Sequence, residues 1–340
     1  MKRKLVSLLT VAALMIAMLT GCSSKNEVGA AELADKKVGV CIYQFSDNFM
    51  TLFRNELLSY LVSRGFSEDN ITIVDGANNQ DTQTAQIQEL IDNNVDVLIV
   101  NLVNSSSAGT ITDLVAGAGI PLVYINREPG PAEEQRWADK NMNVCYVGCD
   151  ARQSGTYQGE IISDLGKNKV DINKDGKIQY IMIEGDPENI DAQYRTKYSI
   201  KALQDAGINV QCLDDQIGNW EKDAAKQLVA DSLKAHPQTE VVFCNNDAMA
   251  LGALESIQAA GRTVGTDIYL VGCDALAEAV EDVIAGTMTG TVFNDHITQS
   301  HSAADAAINY AVGNANDHYI GCNYVKITKD NAKKILESVK

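Results

Sequence analysis

The chain of 340 residues is short of several things, and each shortage excludes something. It carries 28 Lys and Arg against 45 Asp and Glu, a formal net charge of −17. A surface so poor in cations has no electrostatic footprint for nucleic acid or for an anionic lipid face. Only four histidines are present, His236, His296, His301 and His318, which leaves little material for acid–base chemistry. His296 and His301 are also badly spaced for a shared helical face. There is no GxSxG, no P-loop, no HExxH, and no GxGxxG after the first expected strand. Asp214-Asp215 is a carboxylate pair of the kind a glycosidase needs, but it falls in an expected surface loop with no partner motif. No enzyme is expected. Five prolines and 21% charged residues argue against extensive disorder, and 45% apolar residues are enough for a sizeable core. One long apolar run opens the chain, and no second run of spanning length follows it.

That first run has a meaning of its own. Lys2, Arg3 and Lys4 precede residues 5–19, which are apolar apart from Ser7 and Thr10. The run is too short for a comfortable membrane span and reads as a signal peptide. Leu19-Thr20-Gly21-Cys22 follows and resembles a bacterial lipobox. Residues 1–21 are therefore expected to be removed, with Cys22 carrying lipid. Two acyl chains there give stable attachment where one is marginal. Residues 22–36, small and polar, form a tether. The mature chain is expected on the outer face of the cell membrane, touching it through the lipid alone. Seven further cysteines cannot all pair within one chain. Cys41, Cys212, Cys244 and Cys273 lie in or beside strand-like runs, and reduced, buried thiols are expected.

From residue 38 onward, short apolar runs alternate with longer amphipathic ones. Strands are predicted at 38–43, 71–74, 97–101 and 122–125, with helices at 49–64, 82–93 and 108–117. The alternation resumes after Asp150, with strands at 180–183, 209–212, 241–244, 269–272 and 290–293. Helices there are predicted at 156–165, 192–206, 222–235, 248–260 and 276–285. Continuous apolar strands between helices mean parallel sheets covered on both faces. Two such runs make two doubly wound α/β lobes, whose ligands bind beyond the carboxyl ends of the strands.

The residues at those strand ends are polar. Asp47 follows the first strand, Asn126 the fourth, and Asn189, Asp191 and Arg195 the first strand of the second lobe. Asn246, Asp274 and Asn294 follow later strands. Together they supply donors and acceptors suited to a polyhydroxylated ligand. Phe49 and Trp220 offer aromatic faces for the C–H side of a sugar ring. Each residue also has a plainer reading: Asp47 and Asn246 as helix caps, Asn126 as a turn residue, Trp220 as core. Their repetition at strand ends in both lobes is what points to a cleft.

The segments Ile42-Tyr43-Gln44-Phe45-Ser46-Asp47-Asn48-Phe49-Met50, Tyr124-Ile125-Asn126-Arg127-Glu128-Pro129, Asn245-Asn246-Asp247-Ala248-Met249-Ala250 and Gly290-Thr291-Val292-Phe293-Asn294-Asp295 resemble the galactose/glucose-binding proteins of bacterial sugar ABC importers, within the ribose-binding-like periplasmic family. The resemblance implies a type I periplasmic binding protein: two lobes joined by three crossing strands and closing on a sugar. It implies a first lobe of residues 37–148 and 296–325, and a second of 149–295 and 326–340. It implies sugar contacts at Asp47, Phe49, Asn126, Asp191, Arg195, Trp220, Asn246, Asp274 and Asn294. Asn189 stands where the family has His, so glucose, galactose and other pyranoses stay open. The partners implied are a monosaccharide, an ABC permease and its ATPase, with the protein acting as a monomer. Presentation of the ligand state to a chemoreceptor or sensor kinase is the alternative.

One motif lies apart from the strand ends. Asp171-x-Asn173-x-Asp175-Gly176-Lys177-x-Gln179 matches the first nine positions of an EF-hand loop, with Lys177 giving its carbonyl. Position twelve should be a bidentate Glu and is Met182, so alone the loop is an incomplete site or a polar turn. The resemblance supplies a distant carboxylate, Glu240, and with it structural calcium.

Overall fold

The first five strands of the computed structural model are β1 (Val38–Ile42), β2 (Ile71–Asp75), β3 (Val97–Val100), β4 (Leu122–Ile125) and β5 (Val144–Cys149). All but β2 are buried along their whole length. Their side chains alternate between two cores. Val38, Val40, Ile42, Val97, Ile99, Val123 and Ile125 face one; Cys41, Leu98, Val100, Leu122 and Tyr124 face the other. That two-sided burial is why the runs read as continuously apolar. The structure describes residues 28–339. The signal segment and the Cys22 lipid site lie outside the described residues, and among those described no helix is long and apolar enough to cross a membrane.

The helices between these strands are α1 (Asn48–Arg64), α2 (Gln80–Asp92), α3 (Ala108–Gly117) and α4 (Pro131–Lys140). The second half runs α5 (Ala151–Ser163), β6 (Ile178–Glu184), α6 (Ile190–Asp205), β7 (Val210–Ile217), α7 (Lys222–Ala235), β8 (Val241–Cys244), α8 (Asp247–Ala259), β9 (Tyr269–Val271), α9 (Ala277–Ala285) and β10 (Thr291–Phe293). It ends with α10 (His296–Ala311), β11 (Tyr319–Cys322), β12 (Val325–Ile327) and α11 (Ala332–Val339). The first sheet has the order β11-β5-β4-β3-β1-β2 and the second β7-β6-β8-β9, all parallel. Single bridges lead the second sheet toward β10, which pairs antiparallel with β12.

The chain passes between the sheets three times: from β5 into α5, from β10 into α10, and from β11 into β12. After the second crossing, α10 lays Ala303, Ala304, Ala306 and Ala307 into the first core. The second lobe thus begins again with β12 at Val325, one residue before the boundary the sequence implied. Three further expectations need correcting. Asp214 and Asp215 sit in the outer strand β7, not in a loop. The strand expected at 209–212 runs on to Ile217, because an edge strand half exposed to water carries polar residues that a buried one cannot. Cys212, on the same strand, is exposed, whereas the other six described cysteines are buried and all seven are free. The helix expected from 156 starts at Ala151, where Asp150 Oδ1 accepts from the Arg152 N–H (2.9 Å).

Candidate functional site

The carboxyl ends of both sheets face one another across a cleft of about 350 Å³, open solvent at its mouth included. All ten residues singled out from the sequence line it. Three residues that had not been singled out, Tyr43, Met50 and Arg127, line it as well. None of the four histidines does.

Several of these side chains hold two jobs, so the plain and the functional readings coincide. Asp47 caps α1 through Oδ1, which accepts from the Met50 N–H (2.7 Å), while Oδ2 accepts from the Tyr43 hydroxyl (2.7 Å). Asn189 caps α6, its Oδ1 accepting from the Asp191 N–H (2.9 Å). Asn246 caps α8 through the Met249 N–H (2.9 Å) and donates to the Trp220 carbonyl (3.3 Å). A helix that starts directly after a strand needs a cap, and the cap therefore stands at the sheet edge where the ligand space lies. Asn189 Oδ1 accepts one bond in this way and keeps a second lone pair, so it and Nδ2 are both chemically able to meet a ligand.

Unusual backbone gathers here too. Asn126 (φ 60°), Trp220 (φ 70°) and Asp274 (φ 120°) all have positive φ, a conformation that costs energy unless the surroundings enforce it. Trp220 lies over Gly185, and a Cβ built on that glycine would overlap the indole ring. The ring thus needs glycine beneath it. Phe49, on α1, and Tyr43 are aromatic residues of the other lobe that line the same cleft.

The floor of the second lobe is a buried charge cluster. Arg195 Nη1 donates to the Asn245 carbonyl (2.8 Å) and stands 3.7 Å from Asp274 Oδ1. Asp274 Oδ1 accepts from Asn294 Nδ2 (3.2 Å), and Asn294 Oδ1 accepts in turn from Gln299 Nε2 (2.7 Å). Burial pushes the Asp274 carboxyl up to about 8 and that of Asp191 up to about 7, in each case against the pull of Arg195. Asp191 Oδ1, Arg195 Nε and Trp220 Nε1 are buried with no hydrogen-bond partner among the described residues. Buried polar atoms of native proteins are nearly always paired, and these three belong to residues that line the cleft.

The loop of residues 171–179 contributes nothing to the cleft lining and has its own architecture. Gly176 turns at φ 90° and its N–H donates to Asp171 Oδ2 (2.9 Å). Asn173 Nδ2 donates to Gln179 Oε1 (2.8 Å), and Gln179 Nε2 to Asp175 Oδ2 (2.7 Å). Glu240 does reach the loop: its oxygens accept from the N–H groups of Ile172 (2.6 Å), Asn173 (3.2 Å) and Gln179 (2.9 Å). Among the described residues no group of three or more His, Cys, Asp or Glu is placed to hold a metal ion. Asp171, Asp175 and Glu240 would have to be joined by amide and main-chain oxygens. Two observations fit a cation all the same. Asp171 Oδ1 is buried without a partner, and burial together with nearby Asp171 pushes the Glu240 carboxyl above its ordinary range. Oxygen donors of this mixture suit a hard cation.

Comparison with known proteins agrees with this geometry. The profile of the periplasmic binding protein domain matches residues 38–315. The D-galactose/methyl-galactoside binding periplasmic protein MglB of Haemophilus influenzae is 34% identical over 326 residues, covering 92% of this chain and 95% of that protein. The ribose import binding protein RbsB of Bacillus subtilis is 25% identical over 298 residues, covering 86% and 88%. An ABC transporter solute binding protein from Bacillus halodurans, solved with bound myo-inositol, superposes with a TM-score of 0.78 at 24% identity, covering 90% of this chain and 98% of that one. That likeness speaks to the fold alone. The chain belongs to the periplasmic binding protein family: it is a substrate-binding protein of the space outside the cytoplasm, and not an enzyme.

Proposed function

We propose that the chain is the capture component of a sugar ABC importer, taking a monosaccharide of the glucose or galactose type between its lobes and handing it to a membrane permease driven by a separate ATPase. The observation that carries this reading is the cleft itself, which carboxylates, amides and two guanidinium groups from both lobes line together with Phe49 and Trp220. Hydroxyls both give and accept hydrogen bonds, and a pyranose has an apolar face for each ring. The name of the Haemophilus relative supports the hexose. Ligand first meets one lobe, and closure adds the contacts of the other, so binding shifts the population toward the closed form. Cys22 would hold the protein near its permease through lipid.

A thermal-shift screen across monosaccharides tests the reading. Glucose or galactose at a hundredfold excess over its Kd should add about 2.7 kcal/mol of stability, an upward shift of several degrees. A flat response to every hexose would sink it.

The 171–179 loop is proposed to hold Ca²⁺. Asp171, Asn173 and Asp175 would supply side-chain oxygens, Lys177 its carbonyl, Gln179 its amide oxygen, and Glu240 the distant carboxylate. When bound, the ion would neutralise three crowded carboxylates and tie the start of β6 to the segment before β8. Chelator should therefore lower the melting temperature, with calcium restoring it. An unchanged midpoint would mean that the loop binds nothing relevant to stability.

A further inference from the structure

Besides the long pair Arg152 Nη2 to Glu128 Oε2 (3.9 Å) and the contacts of the crossing segments, three side-chain contacts join the two lobes. Gln44 Nε2 donates to Glu221 Oε1 (3.3 Å), and Asn104 Nδ2 donates to Glu188 Oε2 (3.1 Å). Both are exposed, and exposed polar pairs contribute little. The third differs. Arg127 of the first lobe is 2% exposed, and its Nη1 stands 3.7 Å from Asp186 Oδ2 of the second. The guanidinium is held in place from its own side. Its Nη1 donates to the carbonyls of Leu102 (3.2 Å) and Val103 (2.6 Å), and its plane lies 3.5 Å over the Tyr43 ring. Asp186 is held equally firmly, since Oδ1 accepts from the Glu188 N–H (2.9 Å) and its carbonyl from the Asn189 N–H (3.0 Å). The pair therefore joins two rigid bodies, and the second of them is the turn that presents Asn189 and Asp191.

We infer that Arg127 and Asp186 form a latch across the cleft that sets how long the closed form lasts. The inference rests on the capture reading above. When the lobes part, Arg127 keeps its carbonyls and its ring and Asp186 gains water, so both open-state partners are satisfied. The attraction between the two charges exists only in the closed form, and closed-state contacts act on departure more than on encounter. Asp186 does not line the cleft, which makes it a positioning residue whose effect is separable from ligand contact.

Asp186→Asn isolates the charge, because the asparagine oxygen can still accept from Glu188. Stopped-flow release of D-glucose or D-galactose, followed by the fluorescence of Trp220, is expected to be about tenfold faster in Asp186→Asn, with the association rate within about twofold of wild type. In an Arg127→Gln background the same substitution should add nothing. Equal release rates in wild type and Asp186→Asn, or an undiminished effect in the Arg127→Gln background, would overturn the latch. If wild type binds neither sugar, the sugar reading falls and the latch is judged separately. Small-angle X-ray scattering of the ligand-free proteins should then give a larger radius of gyration for Asp186→Asn, and an unchanged radius overturns it.

Discussion

Asp274→Asn is expected to weaken glucose and galactose binding by roughly a hundredfold at pH 9 and by only a few-fold at pH 6, as measured by calorimetry. The pH dependence follows from burial. The Asp274 carboxyl is pushed up to about 8, so near neutral pH the ligand-free protein carries it mostly protonated. Sugar hydroxyls that donate into the carboxylate favour its ionised form. Wild-type affinity should therefore rise with pH through this window, with protons released on binding. Asparagine has the shape of the protonated acid and cannot ionise, so it matches wild type at low pH and falls behind as pH rises. It also tolerates the positive φ at this position better than alanine does. The variant keeps only the shallower dependence supplied by Asp191, itself pushed up to about 7. Equal affinities at pH 9 would remove Asp274 from the set of ligand contacts. In the ligand-free protein the same group acts on folding with the opposite sense. Its folded-state value is raised, so its contribution to stability is complete below the ordinary carboxylate range and is lost as pH rises through about 8.

Asp274 also shows what the sequence makes legible and why. In a doubly wound sheet every strand ends on the same edge, so a polar residue following an apolar run is placed before any coordinate is known. Asp47, Asn126, Asn246 and Asn294 are legible for that reason. Asp191 and Arg195 come one step later, at the start of the helix that follows. Arg127 follows a strand as well, but its burial is not legible from that position, because it depends on the carbonyls of Leu102 and Val103 beyond the end of a neighbouring strand. Its relation to Asp186 depends on how two separate lobes meet. The return of the chain to the first lobe is hidden for a different reason. The buried side of α10 is largely alanine, which packs closely yet gives weak hydrophobic periodicity. The Glu240 contact with the 171–179 loop is likewise a tertiary fact, invisible in the spacing of the loop.

The placement of Arg195 depends in turn on two glycines that carry no chemistry. Helices α5 and α6 meet at Gly155 and Gly159. A Cβ on Gly155 would come 2.8 Å from the Arg195 carbonyl and 2.9 Å from that of Tyr194, and one on Gly159 would overlap the Ser199 carbonyl. Neither glycine has positive φ, so space, not backbone freedom, is what requires them. Gly159→Val should cost about 3 kcal/mol by forcing the helices apart, which for lobes of this size lowers the melting temperature by roughly 10 °C. Gly117→Ala serves as the control, since a Cβ there meets nothing within 4 Å, and it should melt with wild type or slightly above. Affinity should fall along with stability in Gly159→Val, because the displaced helix carries Asp191 and Arg195. Gly155→Ala introduces a milder crowding directly behind Arg195 and should fold, losing affinity in larger proportion than stability. If Gly155→Ala instead melts and binds like wild type, the close approach of these helices is not what holds the guanidinium at the floor of the cleft.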